Sequence, residues 1–326
     1  MGARGRHSLD RSASSESRLT YTEFLRRFPD SDACLEWLRQ KRWPDGIYCP
    51  SARCLRVRNH HRVNGRQAYE CDVCRHQVYP TKGTIFQKSS TNLQLWYYAI
   101  FLMASTRCGI SAKQLERELG VTYPTAWRMF REIRSLLSEP DIRLAGEVEV
   151  DKTYVGGKPR SREIRAMAQT GLGPMQAGQA AARAKKTTVF GTVERGGQVI
   201  AHVVPAEYQA PALHHIETRI LPASMVYSDE APAYMPLPSK GYQHRRIQHS
   251  AKVYVEGTTH TNTIEGFWSL VKRGIDGVHH SVSAKHLQSY LDEYCFRYSH
   301  RLDATSMFDA MLDRLAAGTS AAQSPA

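Results

Sequence analysis

Gly146-Glu147-Val148-Glu149-Val150-Asp151-Lys152-Thr153-Tyr154-Val155 is the stretch on which the reading of this chain turns. Acidic and apolar residues alternate, and a period of two places Glu147, Glu149 and Asp151 on one face of a strand and Val148 and Val150 on the other. A strand with carboxylates on one side and valines on the other predicts a sheet with one face in a core and an acid at the strand end. Working outward, Thr187–Val193 and Val199–Val204 read as a hairpin around Glu194-Arg195-Gly196-Gly197, and Ser224–Ser228 and Arg245–His249 as further strands. Residues 208–220, 261–273 and 284–300 read as helices. Residues 156–185, rich in Gly, Ala, Lys and Arg with little periodicity, read as a flexible basic loop.

Two more acids complete a constellation. Asp229 follows the apolar run Met225-Val226-Tyr227-Ser228, so it ends a second strand. Glu265 stands in His260-Thr261-Asn262-Thr263-Ile264-Glu265-Gly266-Phe267-Trp268-Ser269-Leu270-Val271-Lys272-Arg273. Helical spacing lines Asn262, Glu265, Ser269 and Lys272 along one face, opposite a core stripe of Ile264, Phe267, Trp268 and Val271. Two strand acids and one helix acid can hold two Mg²⁺ or Mn²⁺ ions, hard cations that take oxygen ligands and serve phosphodiester chemistry. Lys272 would meet a phosphate.

The first half carries other chemistry. Cys49 and Cys54, then Cys71 and Cys74, pair as ligands for a structural Zn²⁺ in a stretch too short to fold on its own core, with His60 and His61 as possible substitute ligands. Ser111 starts one helix, Gly120-Val121-Thr122 makes a short turn, and Tyr123-Pro124-Thr125 starts a second, which matches a helix-turn-helix. Its second helix would carry Tyr123, Thr125 and Arg128 into a DNA groove. Residues 20–43 read as two helices broken at Pro29, with Asp30 or Ser31 as cap.

Composition narrows the partner. The 326 residues hold 44 Lys and Arg against 31 Asp and Glu, a net charge of +13. The excess is spread over the chain, 24 basic against 16 acidic residues in 1–150 and 20 against 15 thereafter. That favours a polyanion, nucleic acid first. No uninterrupted apolar run approaches the roughly 18 residues of a membrane span, and Met1–Thr20 lacks the apolar core of a secretory signal, so a cytoplasmic protein is expected.

Asp151, Asp229 and Glu265, with Lys272 seven residues on, resemble the DDE pattern of transposases and integrases. More specifically, Cys71-x2-Cys74, Val150–Lys158, Tyr227-Ser228-Asp229 and the His260–Ser269 motif resemble bacterial insertion-sequence transposases of the ISXO2-like group. The resemblance covers roughly residues 20–305. It implies an α/β architecture: a ribonuclease-H-like catalytic domain with a mixed five-stranded sheet, preceded by a zinc ribbon and a helix-turn-helix domain. The expected boundaries are a disordered lead-in at 1–19, N-terminal helices at 20–46, the ribbon at 47–82, and the helix-turn-helix at 90–140. The catalytic domain follows at 146–305 with its basic insertion at 156–185, then a disordered tail at 317–326.

The resemblance also implies an activity. The chain would bind double-stranded DNA at the terminal inverted repeats, hydrolyse a strand at the transposon end in a metal-dependent step, and let the freed 3′-hydroxyl attack target DNA. It would act as at least a dimer, in the cytoplasm and on the nucleoid. Lys158, Arg160, Arg162, Arg165, Arg183, Lys185, Lys186 and Arg273 would follow phosphates. The third acidic position in such proteins is often described as Asn, which leaves Asn262 beside Glu265; Glu265 is favoured, since a carboxylate binds Mg²⁺ better than an amide. His244, His249 and His260 stand as lone histidines. Two other readings remain: a DNA-binding regulator with an inactive ribonuclease-H-like domain, and a metal-dependent nuclease without strand transfer.

Overall fold

The computed structural model describes residues 19–106, 108–139, 141–156, 159, 161–204, 211–247 and 261–320. Most of the lead-in, Lys158, Arg160, His249 and His260, and the last six residues lie outside these. The chain divides into two units, one of residues 1–137 with 302–326, the other of residues 138–301.

The first unit begins with helices α1 (Tyr21–Arg27) and α2 (Ser31–Arg42). The Asp30 side chain accepts from the Ala33 N–H and caps α2. Five short strands follow, β1 (Tyr48–Cys49), β2 (Arg56–Val57), β3 (His60–Arg62), β4 (Tyr69–Cys71) and β5 (Gln77–Val78), as a β1–β2 pair and an antiparallel β3–β4–β5 sheet. Helix α3 (Leu93–Ser105) is apolar around much of its circumference, and seven of its residues from Leu93 to Met103 are buried, so it is the central helix. Helix α4 (Ala112–Leu119) starts at Ser111, whose side chain accepts from Gln114, and stops at Gly120 in the left-handed region. Helix α5 (Tyr123–Ser135) carries Pro124 in its first turn and buries Met129, Phe130 and Ile133.

A helix that the sequence reading leaves out closes this unit: α11 (Met307–Ser320), which runs into the stretch expected to be a disordered tail. Phe308, Met311, Leu312 and Leu315 recur at helical spacing and are all buried. The Phe308 ring lies 5.9 Å from both Phe24 and Phe28 and 6.1 Å from Phe101. That stripe is visible at helical spacing, whereas the stretch after Ala316 is small and polar and carries no such signal, although the helix runs on to Ser320.

The second unit is a five-stranded mixed sheet of β6 (Glu147–Val155), β7 (Thr187–Glu194), β8 (Val199–Val203), β9 (Met225–Ser228) and β10 (Gln243–Arg246). Its order is β10-β9-β6-β7-β8. Central β6 runs antiparallel to β7 and parallel to β9; β7–β8 is antiparallel and β9–β10 parallel. Helices α9 (Asn262–Gly274) and α10 (Ala284–Ser299) belong to one core, where Phe267, Trp268 and Leu291 meet Val189 and Val193. Helix α8 (Pro211–Arg219) contributes Ile216 to the other, with Val148, Val150, Phe190 and Val226. The alternation of β6 is thus resolved between two cores, since the sheet is covered on both faces.

Residues 156–185 differ from the expected flexible loop. They contain α6 (Ser161–Ala168) and α7 (Pro174–Lys185), which pack on each other. Ala177 and Ala181, one turn apart, are buried. Alanine has the highest helix propensity and lets two helices approach closely, but it leaves no large-residue period to read.

Candidate active site and cysteine cluster

Strand register brings the first two acids together. Glu149 pairs with Tyr227 at the end of the parallel β6–β9 ladder, and Asp151 and Asp229 lie just beyond that pair, Asp229 directly after β9, near enough for their charges to bear on each other. Burial raises the Asp151 carboxyl above its ordinary pKa, and the charges of Asp229 and Glu265 push it in the same direction. Hydrogen bonds from the Lys152 N–H at 2.7 Å and the Trp268 indole at 3.0 Å oppose that shift. The half-buried Asp229 accepts from the Ala231 N–H at 3.1 Å. The Tyr234 phenol is buried near both acids; burial and their negative charge raise its pKa.

Helix α9 supplies the third acid. Asp151, Glu265, Trp268, Ser269, Lys272 and Arg273 line one open groove of about 720 Å³. Glu265 is exposed there, with the Thr261 hydroxyl 3.3 Å from Oε1. The helical period expected from sequence therefore brings Glu265, Ser269 and Lys272 to the same side as Asp151. Asn262 is exposed one turn earlier and does not line this groove. The acids of the groove offer oxygen donors, the ligand chemistry of Mg²⁺ or Mn²⁺, but Asp229 does not line it, and among the described residues the three acids do not close into one ligand set as the cysteines do.

What positions α9 was not read from the sequence. Its N-cap Thr261 makes no side-chain capping bond. Instead fully buried Glu149 accepts from the Thr263 N–H at 2.9 Å, the Thr263 hydroxyl at 2.9 Å and the Ile264 N–H at 3.0 Å. Arg195 Nε pairs with the same carboxylate at 2.8 Å, and its guanidinium lies 4.0 Å from the centre of the Tyr227 ring. Gly191 pairs with Asp151 across β6–β7, and a Cβ there would sit 2.3 Å from Trp268 Cζ2. The period-two face that joins Glu149 to Asp151 was legible, and an acid on a face that must also be covered by a helix signals a buried partner. The need for glycine opposite Asp151 left no local signal.

The four cysteines of the first unit converge as expected. The Sγ atoms of Cys49, Cys54, Cys71 and Cys74 all lie within 4.8 Å of one another. The His76 backbone N–H lowers the pKa of the Cys74 thiol, while burial raises those of Cys49 and Cys54. His60 and His61 are engaged elsewhere, with the Arg58 carbonyl at 2.9 Å and Asp72 at 2.6 Å. A soft four-thiolate set of this size fits tetrahedral Zn²⁺, and the cluster supports a structural zinc.

Other expected contacts are scattered over the chain. Tyr123 and Arg128 are exposed on α5, with Lys113 over the Tyr123 ring and Arg128 5.9 Å from the Trp96 ring centre. Thr125 hydrogen-bonds Thr122 at 3.0 Å. Arg162 and Arg165 on α6, Lys186 after α7 and Arg273 on α9 are exposed, and Lys185 ends α7. His244 bonds the Ser228 hydroxyl at 2.8 Å, next to Asp229.

Comparison with known proteins follows this division. Residues 143–299 match the family model described as ISXO2-like transposase domain, and residues 29–77 match the transposase zinc-ribbon domain. An uncharacterized protein in transposable element ISH50 of Halobacterium salinarum is 30% identical over 281 residues, 84% of this chain and 92% of its own. An uncharacterized transposase-like protein of Haemophilus influenzae is 30% identical over 103 residues, 32% of this chain and 82% of its own. The two matched domains define a transposase-type protein with a zinc ribbon. The chain belongs to the ISXO2-like family of insertion-sequence transposases. These domains point to DNA as partner. Among the described residues no helix is long and apolar enough to cross a membrane.

Proposed function

We propose that this chain is an active DDE transposase that binds the terminal inverted repeats of its insertion sequence as double-stranded DNA, cleaves at the transposon end and joins that end to target DNA. The observation that carries the reading is that Asp151, Glu265 and Lys272 line one groove, with the charge of Asp229, which follows the adjacent strand, bearing on Asp151. The sheet order, with an antiparallel β6–β7–β8 meander and two parallel strands on its other side, supports a ribonuclease-H-like unit.

In this reading Asp151, Asp229 and Glu265 would hold two divalent cations. When bound, these would supply charge neutralisation and activation of the attacking oxygen. Lys272 contacts a phosphate near the scissile bond, and Trp268 fixes the Asp151 carboxylate through its indole. Asn262 contacts DNA or metal at the rim. Helices α4 and α5 act as a helix-turn-helix whose Tyr123, Thr125 and Arg128 meet the repeat, while Lys158, Arg160, Lys185, Lys186 and Arg273 neutralise backbone. Two copies act on paired ends, in the cytoplasm. Most of the rate comes from positioning and electrostatic stabilisation.

Incubating the chain with Mg²⁺, a labelled terminal-repeat duplex and target DNA tests this directly. Joined products that disappear in Asp151→Ala and Asp229→Ala support it. Binding without cleavage points to a regulator instead, and cleavage without joining to a nuclease. Full activity of Glu265→Ala alongside loss in Asn262→Ala moves the third role to Asn262.

A further inference from the structure

Glu149 is a fully buried carboxylate that the proposed chemistry does not use. It lies two residues before Asp151 on β6 and closes the N-terminus of the helix that carries Glu265, although 114 and 115 residues separate it from Thr263 and Ile264. The first turn of any helix leaves N–H groups without intrahelical partners, and its dipole favours a negative charge there. Because Thr261 provides no side-chain cap, α9 depends on Glu149 for two of these donors.

A second tie fixes the same pair of elements, from the Trp268 indole to Asp151. The two ties match in length. From Glu149 to Asp151 the strand rises about 6.6 Å. From Ile264 to Trp268 the helix rises about 6 Å, and from Thr263 about 7.5 Å. Strand and helix are therefore clamped at two points in one register. Glu265 projects between the clamps toward the groove it shares with Asp151. Arg195 holds the Glu149 carboxylate from the side and also bonds Glu147 at 3.1 Å, so the strand acids are anchored to β7 through the residue that follows it.

We infer that Glu149 is a positioning residue: it sets the register of α9 on β6 and through it the separation of Asp151 and Glu265. This rests on the reading of those acids as a divalent-cation site. Glu149→Gln keeps the shape and removes the charge that accepts from three donors and pairs with Arg195. Removing one member of a buried charged network leaves the others unsatisfied.

The test uses the full chain. The indole N–H resonance of Trp268, identified by its loss in Trp268→Phe, reports the register without metal or DNA. Calorimetric titration with Mn²⁺ reports the acid site, and terminal-repeat cleavage reports its use. In folded Glu149→Gln we expect a displaced Trp268 resonance, Mn²⁺ affinity lowered about tenfold or more, and a parallel loss of kcat with repeat affinity held within about twofold. An unmoved resonance with unchanged Mn²⁺ affinity overturns the inference. If Glu149→Gln does not fold, Thr263→Val removes only the hydroxyl donor; a displaced resonance and a several-fold weaker Mn²⁺ titration are expected, and wild-type values overturn the inference. A wild-type chain that neither binds Mn²⁺ nor cleaves would sink the cation-site reading, while the Trp268 resonance would still decide the register.

Discussion

Trp268 donates its indole N–H to Asp151 Oδ2 at 3.0 Å, from a helix 117 residues away in the chain. An apolar residue of the core stripe thus reaches the first acid of the site. Trp268→Phe keeps most of the packing and deletes the donor. Metal-dependent cleavage is expected to fall about tenfold, as when a group supporting a metal ligand is lost. Single-turnover cleavage at saturating DNA measures it, and an unchanged rate would separate this bond from catalysis.

The seat of that indole depends on Gly191. An added Cβ would overlap Trp268 Cζ2 and Cη2 at 2.3 and 2.6 Å, and both the ring and the strand are confined. Gly191→Ala is expected to destabilise the unit by about 1–3 kcal/mol, the usual range for overpacking. Urea denaturation followed through Trp fluorescence gives the number. Trp268→Ala/Gly191→Ala should cost less than the sum of the two single changes, because the clash is then gone.

Acid stability should be governed in part by a histidine pair on the opposite face of the sheet. His202 and His215 stack with centroids 5.0 Å apart and ring planes 12° apart. Burial lowers the His202 pKa to about 4, and also lowers that of His215. The unfolded chain, with ordinary histidines near 6.5, then binds protons that the folded state does not. The neutral pair therefore supports folding fully above pH 6.5, and that support is lost as pH falls toward 4. The His202 contribution is at most about 3 kcal/mol. His202→Phe should flatten the melting temperature between pH 6.5 and 4; an unchanged slope would assign the acid sensitivity elsewhere.

Zinc should be needed by the first unit. The strands around the cysteine cluster are two or three residues long and bury little besides sulfur, so metal binding supplies their folding energy. About one zinc per chain is expected by metal analysis. Cys71→Ser or chelation should lose it along with repeat binding, leaving the histidine-dependent acid transition of the second unit intact. A chain with full repeat affinity after zinc removal would contradict this.

Phe308 should be as important to the first unit as any residue of α1 or α3. Its side chain is 2% exposed among Phe24, Phe28 and Phe101. Phe308→Ala is expected to cost about 3–5 kcal/mol. Two-phase denaturation, with only one phase shifted, would show the loss confined to that unit.

Periodicity and spacing made much of both units legible: the acid strand, the hairpin, the acid-bearing helix and, in the first unit, the four cysteines stand where local pattern puts them, although Asp151, expected at a strand end, lies in the middle of β6, which runs on to Val155. Three things escaped for separate reasons. Helix α7 is built largely on alanine, whose small side chain carries propensity without a visible stripe, and α6 is a short, charge-rich helix of eight residues. Helix α11 carries an apolar stripe only up to Leu315 and continues into a small, polar stretch that gives no helical signal. Gly191 owes its identity to a ring on another element, and no neighbour in sequence betrays that.

The sequence by itself determined which residue types are present at which local period: carboxylates alternating with valines on β6, Glu265 and Lys272 on one helix face, thiols in two pairs. These are short-range consequences of backbone geometry, and a chain carries them wherever it folds. Only the tertiary structure decided which of those carboxylates is spent on structure and which faces the groove. Glu147, Glu149 and Asp151 are equivalent by alternation, yet Glu149 is covered by the start of α9 and satisfied by its N–H groups, while Asp151 opens into the groove with Glu265. The physical reason is that burial and partnering depend on what another segment, more than a hundred residues away, lays across the strand.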